Sequence, residues 1–125
     1  MRLLLDTHAL LWVLAYPKRL SANAREAVTS ADSEVFVSAA SAWEIAIKRA
    51  SGKLTAPADL EGILDQTGID RLPITVSHAL AAGALPLIHS DPFDRMLVAQ
   101  AQADGLTLVT RNPQISAYDV AVLQA

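Results

Sequence analysis

Four oxygen-bearing side chains lie far apart in this sequence but at equivalent places. Asp6 directly follows the apolar run Leu3-Leu4-Leu5, and Glu44 follows Val35-Phe36-Val37 by one helical turn or so. Asp94 lies in HSDPFDR, and Asn112 closely follows Leu106-Thr107-Leu108-Val109-Thr110. Carboxylates gathered without cations repel one another and partly protonate, so a shared site of this kind calls for a hard divalent ion, Mg2+ or Mn2+. Each residue also has a purely structural reading. Asp6 can cap a following helix. Glu44 completes S-x-x-E with Ser41 and stands four residues before Lys48 as a helical ion pair. Asp94, three residues after the cap residue Asp91, suits a helix dipole. One common site accounts for all three at once, whereas the structural readings need three separate explanations.

The elements that must position these groups alternate along the chain. Leu3-Leu4-Leu5 reads as a strand buried on both faces, followed by a helix over about residues 8–15 that Pro17 stops. Ser21 caps a second helix to about residue 31, with Ala24, Ala27 and Val28 at helical spacing. After the strand Val35-Phe36-Val37, the pattern SAASAWEIAIKRA at 38–50 sets Trp43, Ala46, Ile47 and Ala50 on one helical face. Trp43 and Trp12 are therefore expected in the core. Thr55 and Pro57 open a helix to about residue 67, closed by Gly68, and Leu72-Pro73-Ile74 is extended. Thr75 caps a helix ended by Pro86; Asp91-Pro92 starts another, to about residue 103; and residues 106–110 form the clearest strand. Such alternation predicts parallel strands joined by crossovers with helices on both faces, an α/β three-layer sandwich. In such sheets ligands gather at the carboxyl ends of the strands, where the four side chains fall.

The 125 residues fit one domain, 1–125, and the 52% hydrophobic and 18% charged composition predicts a folded chain. With no cysteine, disulfides, thiolate catalysis and thiolate-bound zinc are excluded. The longest apolar run, residues 9–16, is too short to cross a bilayer, and no secretory pattern opens the chain, so a cytoplasmic protein without membrane attachment is expected. The three histidines lack metal-ligand spacing and are read as packed or surface residues. No phosphate-loop, dinucleotide-binding or nucleophile-elbow motif is present.

At LLLDTHALLW, SAASAWEIAIKRASGKL, PLIHSDPFDRMLVAQAQADGLTLVT and RNPQISAYDV, the sequence resembles the PIN-domain ribonucleases, specifically the VapC-type toxins of bacterial toxin–antitoxin pairs. The resemblance covers essentially the whole chain. It implies a PIN-like fold and a Mg2+- or Mn2+-dependent endoribonuclease acting on structured RNA, transfer or ribosomal. Asp6, Glu44 and Asp94 match the family's acidic metal-binding residues, Asp91 is a further acid of the same motif, and Thr110 also falls in the motif. Where the family has a fourth acid, this chain has Asn112. An amide oxygen can coordinate a hard cation but brings no charge, which weakens the case for a second metal.

By the same resemblance, the partners are an RNA substrate, a cognate VapB-type antitoxin and a second copy of the chain. Arg95, Arg111 and Thr110 are candidates for contacting substrate phosphates, the two arginines against a reading as solvated surface charges. Asn112 supports one alternative, a catalytically weak or silent PIN module that chiefly binds its antitoxin. A signalling receiver domain is another α/β fold with an acidic pocket. It fits less well: Asp6 stands alone after the first strand, and the last lysine is Lys53, far before the last strand. The net charge of −3 argues against loose coating of nucleic acid, but one divalent ion would bring it to about −1 and two to about +1, so RNA binding is expected to depend on metal.

Overall fold

The apolar run near the start of the chain forms the middle strand of a sheet. In the computed structural model, which describes residues 1–125, β1 (Arg2–Leu5) pairs in parallel with β2 (Glu34–Ser38) on one side and β4 (Thr107–Thr110) on the other. β3 (Asp70–Leu72) and β5 (Val122–Gln124) complete a five-stranded, all-parallel sheet in the order β3-β2-β1-β4-β5. Leu3, Leu4 and Leu5 are fully buried because both faces of β1 are covered. Leu3 and Leu5 pack with Ala9, Leu10, Ala24, Val37 and Leu64 on one side. Leu4 packs with Leu97, Val98, Leu108 and Ile115 on the other. This is the expected three-layer α/β/α arrangement.

Helices α1 (Thr7–Ala15), α2 (Ala22–Thr29) and α4 (Leu60–Thr67) supply residues to the first core. α6 (Pro92–Asp104) and the short α7 (Pro113–Ser116) supply the second, and α5 (Val76–Ala84) packs on α6. Most helix starts follow the sequence reading. Ser21, Thr75 and Asp91 accept hydrogen bonds from first-turn N–H groups, and Gly68 and Gly105 end α4 and α6 in the left-handed conformation that glycine adopts without strain.

Three local expectations are corrected, and two short elements are added. The helix expected to open at Thr55 and Pro57 begins only at Leu60, with Asp59 as its cap. β5 and α7 carried too few residues to stand out in the sequence. α3 (Ala39–Ala50) starts immediately after β2 with Ser38 as its cap, so Ser41 lies inside the helix and makes no capping box with Glu44; its buried hydroxyl has no partner. The face of α3 carrying Trp43, Ala46, Ile47 and Ala50 points to solvent, Trp43 being 63% exposed, while Ala40, Ser41, Glu44 and Ile45 are buried. Trp12, by contrast, packs partly buried against the first core. No helix is long and apolar enough to cross a membrane.

Candidate functional site

Strand register brings the first groups together. Leu5 is level with Val37 on one neighbour and with Val109 on the other, so Asp6, Ser38 and Thr110 end three adjacent strands at one edge. The chain reverses direction across the sheet between β1 and β4, the place where an open parallel sheet leaves a crevice. Asp6 caps α1, its Oδ1 accepting from the Ala9 N–H at 2.8 Å, and Oδ2 accepts from the Thr110 hydroxyl at 2.6 Å. Thus the capping reading and the convergence reading of Asp6 hold together.

Because α3 follows β2 without a loop, Glu44 reaches the same edge from the second turn of its helix. It is buried, and both its oxygens are engaged: Oε1 accepts from the Thr7 hydroxyl at 2.5 Å and Oε2 from the Lys48 ammonium at 2.6 Å. The ion pair expected at this i,i+4 spacing is present and holds the Lys48 pKa above its usual value, chiefly through the hydrogen bond to Glu44.

The start of α6 supplies Asp91 and Asp94. Asp91 Oδ1 accepts from the N–H groups of Phe93 and Asp94, an N-cap with Pro92 in the first helical position. Asp94 Oδ2 lies 2.8 Å from His89 Nε2 and accepts from Asn112 Nδ2 at 3.2 Å. Ligand atoms of His89, Asp91 and Asp94 all lie within 4.8 Å of one another. Asn112 also caps α7, with Oδ1 accepting from the Gln114 N–H. Its amide therefore offers an N–H to Asp94 while its oxygen serves the helix.

These side chains enclose a pocket of about 230 Å3 lined by Asp6, Thr7, His8, Glu44, Lys48, His89, Asp91, Asp94 and Asn112, with no apolar residue among them. Burial pushes the Asp6 carboxyl above its ordinary pKa, against the hydrogen bonds from Thr110 and Ala9. Asp94 is raised the same way, against its bond to His89. Partly desolvated carboxylates around a small polar cavity, with hydroxyl and amide groups beside them, are the donor chemistry of a hard divalent cation. His89, Asp91 and Asp94 form the group whose ligand atoms lie close enough together to share one, and Asp91 and Asp94, both partly exposed, each keep an oxygen free of hydrogen bonds; Asp6 and Glu44 line the same pocket with both oxygens hydrogen-bonded.

The structure brings together Asp6, Glu44, Asp91, Asp94 and Asn112, with Thr110 hydrogen-bonded to Asp6. It does not bring Arg95 and Arg111 to the pocket. The Arg95 guanidinium donates to the carbonyls of Ala82, Leu85, Pro86 and His89 and to the Tyr118 hydroxyl, tying the segment before α6 to that helix. Arg111 lies over the Trp12 ring and donates to the carbonyls of Arg19 and Ala125. Carbonyl oxygens outcompete a distant phosphate for a planar donor fork that already fits them. We therefore expect Arg95→Met to lower stability by about 2 kcal/mol, since it leaves several carbonyls short of a donor. Urea unfolding measures this, and the salt dependence of any RNA binding should not change.

Sequence reasoning gave no place in the site to Thr7, His8 or His89, and read Lys48 only as the ion-pair partner of Glu44. The spacing of Glu44 and Lys48 was the available signal for the lysine. His89, two residues before the Asp91 cap, was set aside because no second histidine stood at ligand spacing. His78 is unrelated to the pocket: its ring and the Thr75 hydroxyl complete a capping box at the start of α5.

Comparisons with known proteins bear on the family and the fold. The sequence model of the PIN domain matches residues 3–121. Ribonuclease VapC22 of Mycobacterium tuberculosis is 34% identical over 118 residues, covering 92% of this chain and 90% of that protein. Among solved structures, VapBC2 from Rickettsia felis bound to a DNA fragment from its promoter superposes with a TM-score of 0.68 at 16% identity, covering 98% of each chain. FitAcB from Neisseria gonorrhoeae gives 0.57 at 21% identity, covering 98% of this chain and 96% of that one. At these identities the structural likenesses speak to the fold alone.

Proposed function

This chain belongs to the PIN domain family, and from that premise we propose that it is a divalent-metal-dependent endoribonuclease, the toxin of a toxin–antitoxin pair. The observation that carries this reading is the wholly polar pocket of partly desolvated carboxylates where the parallel sheet opens its crevice. The 34% identity to a protein named a ribonuclease supports the same activity.

Asp6 and Asp94 would be the principal ligands, Glu44 would hold the ion or its water, and Asp91 would add a further oxygen. Mg2+ or Mn2+ would supply charge to offset the phosphodiester and would activate water for in-line attack on phosphorus. Thr110 and the Ala9 N–H fix the two Asp6 oxygens, Thr7 fixes Glu44, and His89 with Asn112 fixes one oxygen of Asp94. These contacts hold the carboxylates toward one small volume before any ion arrives, which limits the reorganisation needed to bind it. The substrate on this reading is structured RNA, transfer or ribosomal, and the protein acts in the cytoplasm as one domain over residues 1–125. A cognate VapB-type antitoxin holds it inactive, and the solvent-facing apolar residues of α3, Trp43 and Ile47, suit contact with that partner or with a second copy in a homodimer.

Sequencing of RNA ends after expression of the chain without its antitoxin tests the proposal. A small set of new ends, lost in the Asp94→Asn variant, is the expected result, and an unchanged RNA pool overturns it. One observation favours a second reading, a silent PIN module: Asn112 brings no charge and turns its N–H toward Asp94. If the purified chain in excess Mn2+ cuts no RNA yet binds its antitoxin, that reading replaces the first.

A further inference from the structure

A phosphodiester approaching four carboxylates needs positive charge from the protein as well as from an ion. Of the nine residues lining the pocket, Lys48 is the one with a permanent cationic head; Arg95 and Arg111 are committed elsewhere. Its ammonium has three N–H donors, and only one is engaged, by Glu44 Oε2. The side chain lines the pocket and is 37% exposed, so it is open to solvent there rather than enclosed in the fold.

Each Glu44 oxygen accepts one hydrogen bond, Oε1 from Thr7 and Oε2 from Lys48. A divalent ion arriving beside Glu44 competes with the ammonium for the same negative charge and repels it, which loosens its hold. The lysine is tethered by its own helix one turn from Glu44, so it stays at the pocket when released. Asp91 and Asp94 attract it there, but an ion held by those carboxylates offsets their charge and leaves a substrate phosphate as the anion to be matched.

We propose that Lys48 is a substrate-binding residue that rests on Glu44 in the ion-free protein and transfers its ammonium to an RNA phosphate when a divalent ion takes over Glu44. This rests on the nuclease reading above. It makes Lys48 both the placeholder for the cation and the point at which metal binding and RNA binding become coupled. The exchange involves no bond making: one charge-assisted hydrogen bond, to a carboxylate, is traded for another, to a phosphate.

The full-length chain and its Lys48→Met and Lys48→Arg variants test this in two measurements. The first is Mn2+ affinity without RNA, by calorimetry. The second is binding of a fluorescein-labelled, mixed-sequence RNA oligonucleotide in Ca2+ across a salt series, followed by cleavage started with Mn2+. Lys48→Met should bind Mn2+ as tightly as the parent chain or several-fold more tightly, because a competing cation is gone. It should bind the oligonucleotide about tenfold more weakly, with a salt slope smaller by about 0.7, and raise KM more than it lowers kcat. Lys48→Arg should keep the slope. An unchanged RNA affinity and slope in Lys48→Met overturns the proposal, as does weakened Mn2+ affinity with an unchanged slope, which would mean that Lys48 only holds Glu44 in place. A parent chain that binds Mn2+ but neither binds nor cuts RNA overturns the nuclease reading and this inference with it. A parent chain that cuts RNA indistinguishably from Lys48→Met overturns this inference alone.

Discussion

Asp94→Asn is expected to abolish metal-dependent RNA cleavage, by about 10³-fold or more, while leaving the fold intact. The substitution is isosteric. An amide oxygen in place of Oδ2 still accepts from His89 and Asn112, and the new NH2 takes the place of the oxygen that has no hydrogen-bond partner in the protein. What disappears is the negative charge from a group that burial already makes costly to ionise. The folded chain therefore tolerates the change, whereas a hard cation loses both a charge and an oxygen free of hydrogen bonds. Circular dichroism, thermal unfolding and a cleavage assay with Mn2+ measure the three parts separately. Full activity in a folded variant removes Asp94 from the site.

The second large effect is on stability. Asp6 and Asp94 both bind their protons more tightly in the folded chain than in the unfolded one, principally because burial penalises their charged forms. The folded state then holds more protons, so this contribution favours folding at low pH and is lost as pH rises through the raised pKa values. Metal-free protein should consequently lose stability from these two groups between the ordinary carboxylate range and neutrality. A divalent ion that binds only the folded state reverses the loss. At one hundred times its Kd the gain is about 2.7 kcal/mol, or roughly 10 °C in Tm for a chain of this size. In Asp6→Asn, whose amide oxygen can still cap α1, the metal-free Tm at neutral pH should rise and the gain from Mn2+ should shrink sharply. Thermal unfolding across pH, with and without Mn2+, checks both. An Asp6→Asn variant that keeps the full Mn2+ gain would show that the ion binds elsewhere.

The groups of the pocket differ in how legible they were. Asp6 and Asp91 sit at junctions that short-range chemistry sets: an apolar run ending at an acid, and an acid followed by proline. Their positions at a strand end and a helix start follow from a few neighbouring residues. Glu44 was placed on the correct helix for a partly wrong reason. Its ion pair with Lys48 forms, but the capping box with Ser41 does not, since β2 runs straight into α3 and Ser38 reaches the free N–H groups first. The arginines illustrate a different limit. A guanidinium near an acidic motif looks available in one dimension, and only the fold reveals the carbonyls that surround it.

The same contrast governs α3. Its apolar residues repeat at helical spacing, which establishes a helix with an apolar face but leaves open where that face points. Packing turned Glu44 toward the pocket and Ile45 into the first core, and left Trp43 and Ile47 in solvent.

The amino-acid sequence by itself determined the alternation of strands and helices, the burial of β1 on both faces, the family, and the acids at strand ends and helix starts. Each depends on residues close together in the chain or on motifs read in order. Tertiary structure alone decided that Thr7 joins Lys48 on Glu44, that Thr110 meets Asp6, that His89 and Asn112 meet Asp94, and that Arg95 and Arg111 turn away. Those pairings join positions up to 104 residues apart, and strand register and helix packing select among many partners of equal chemistry.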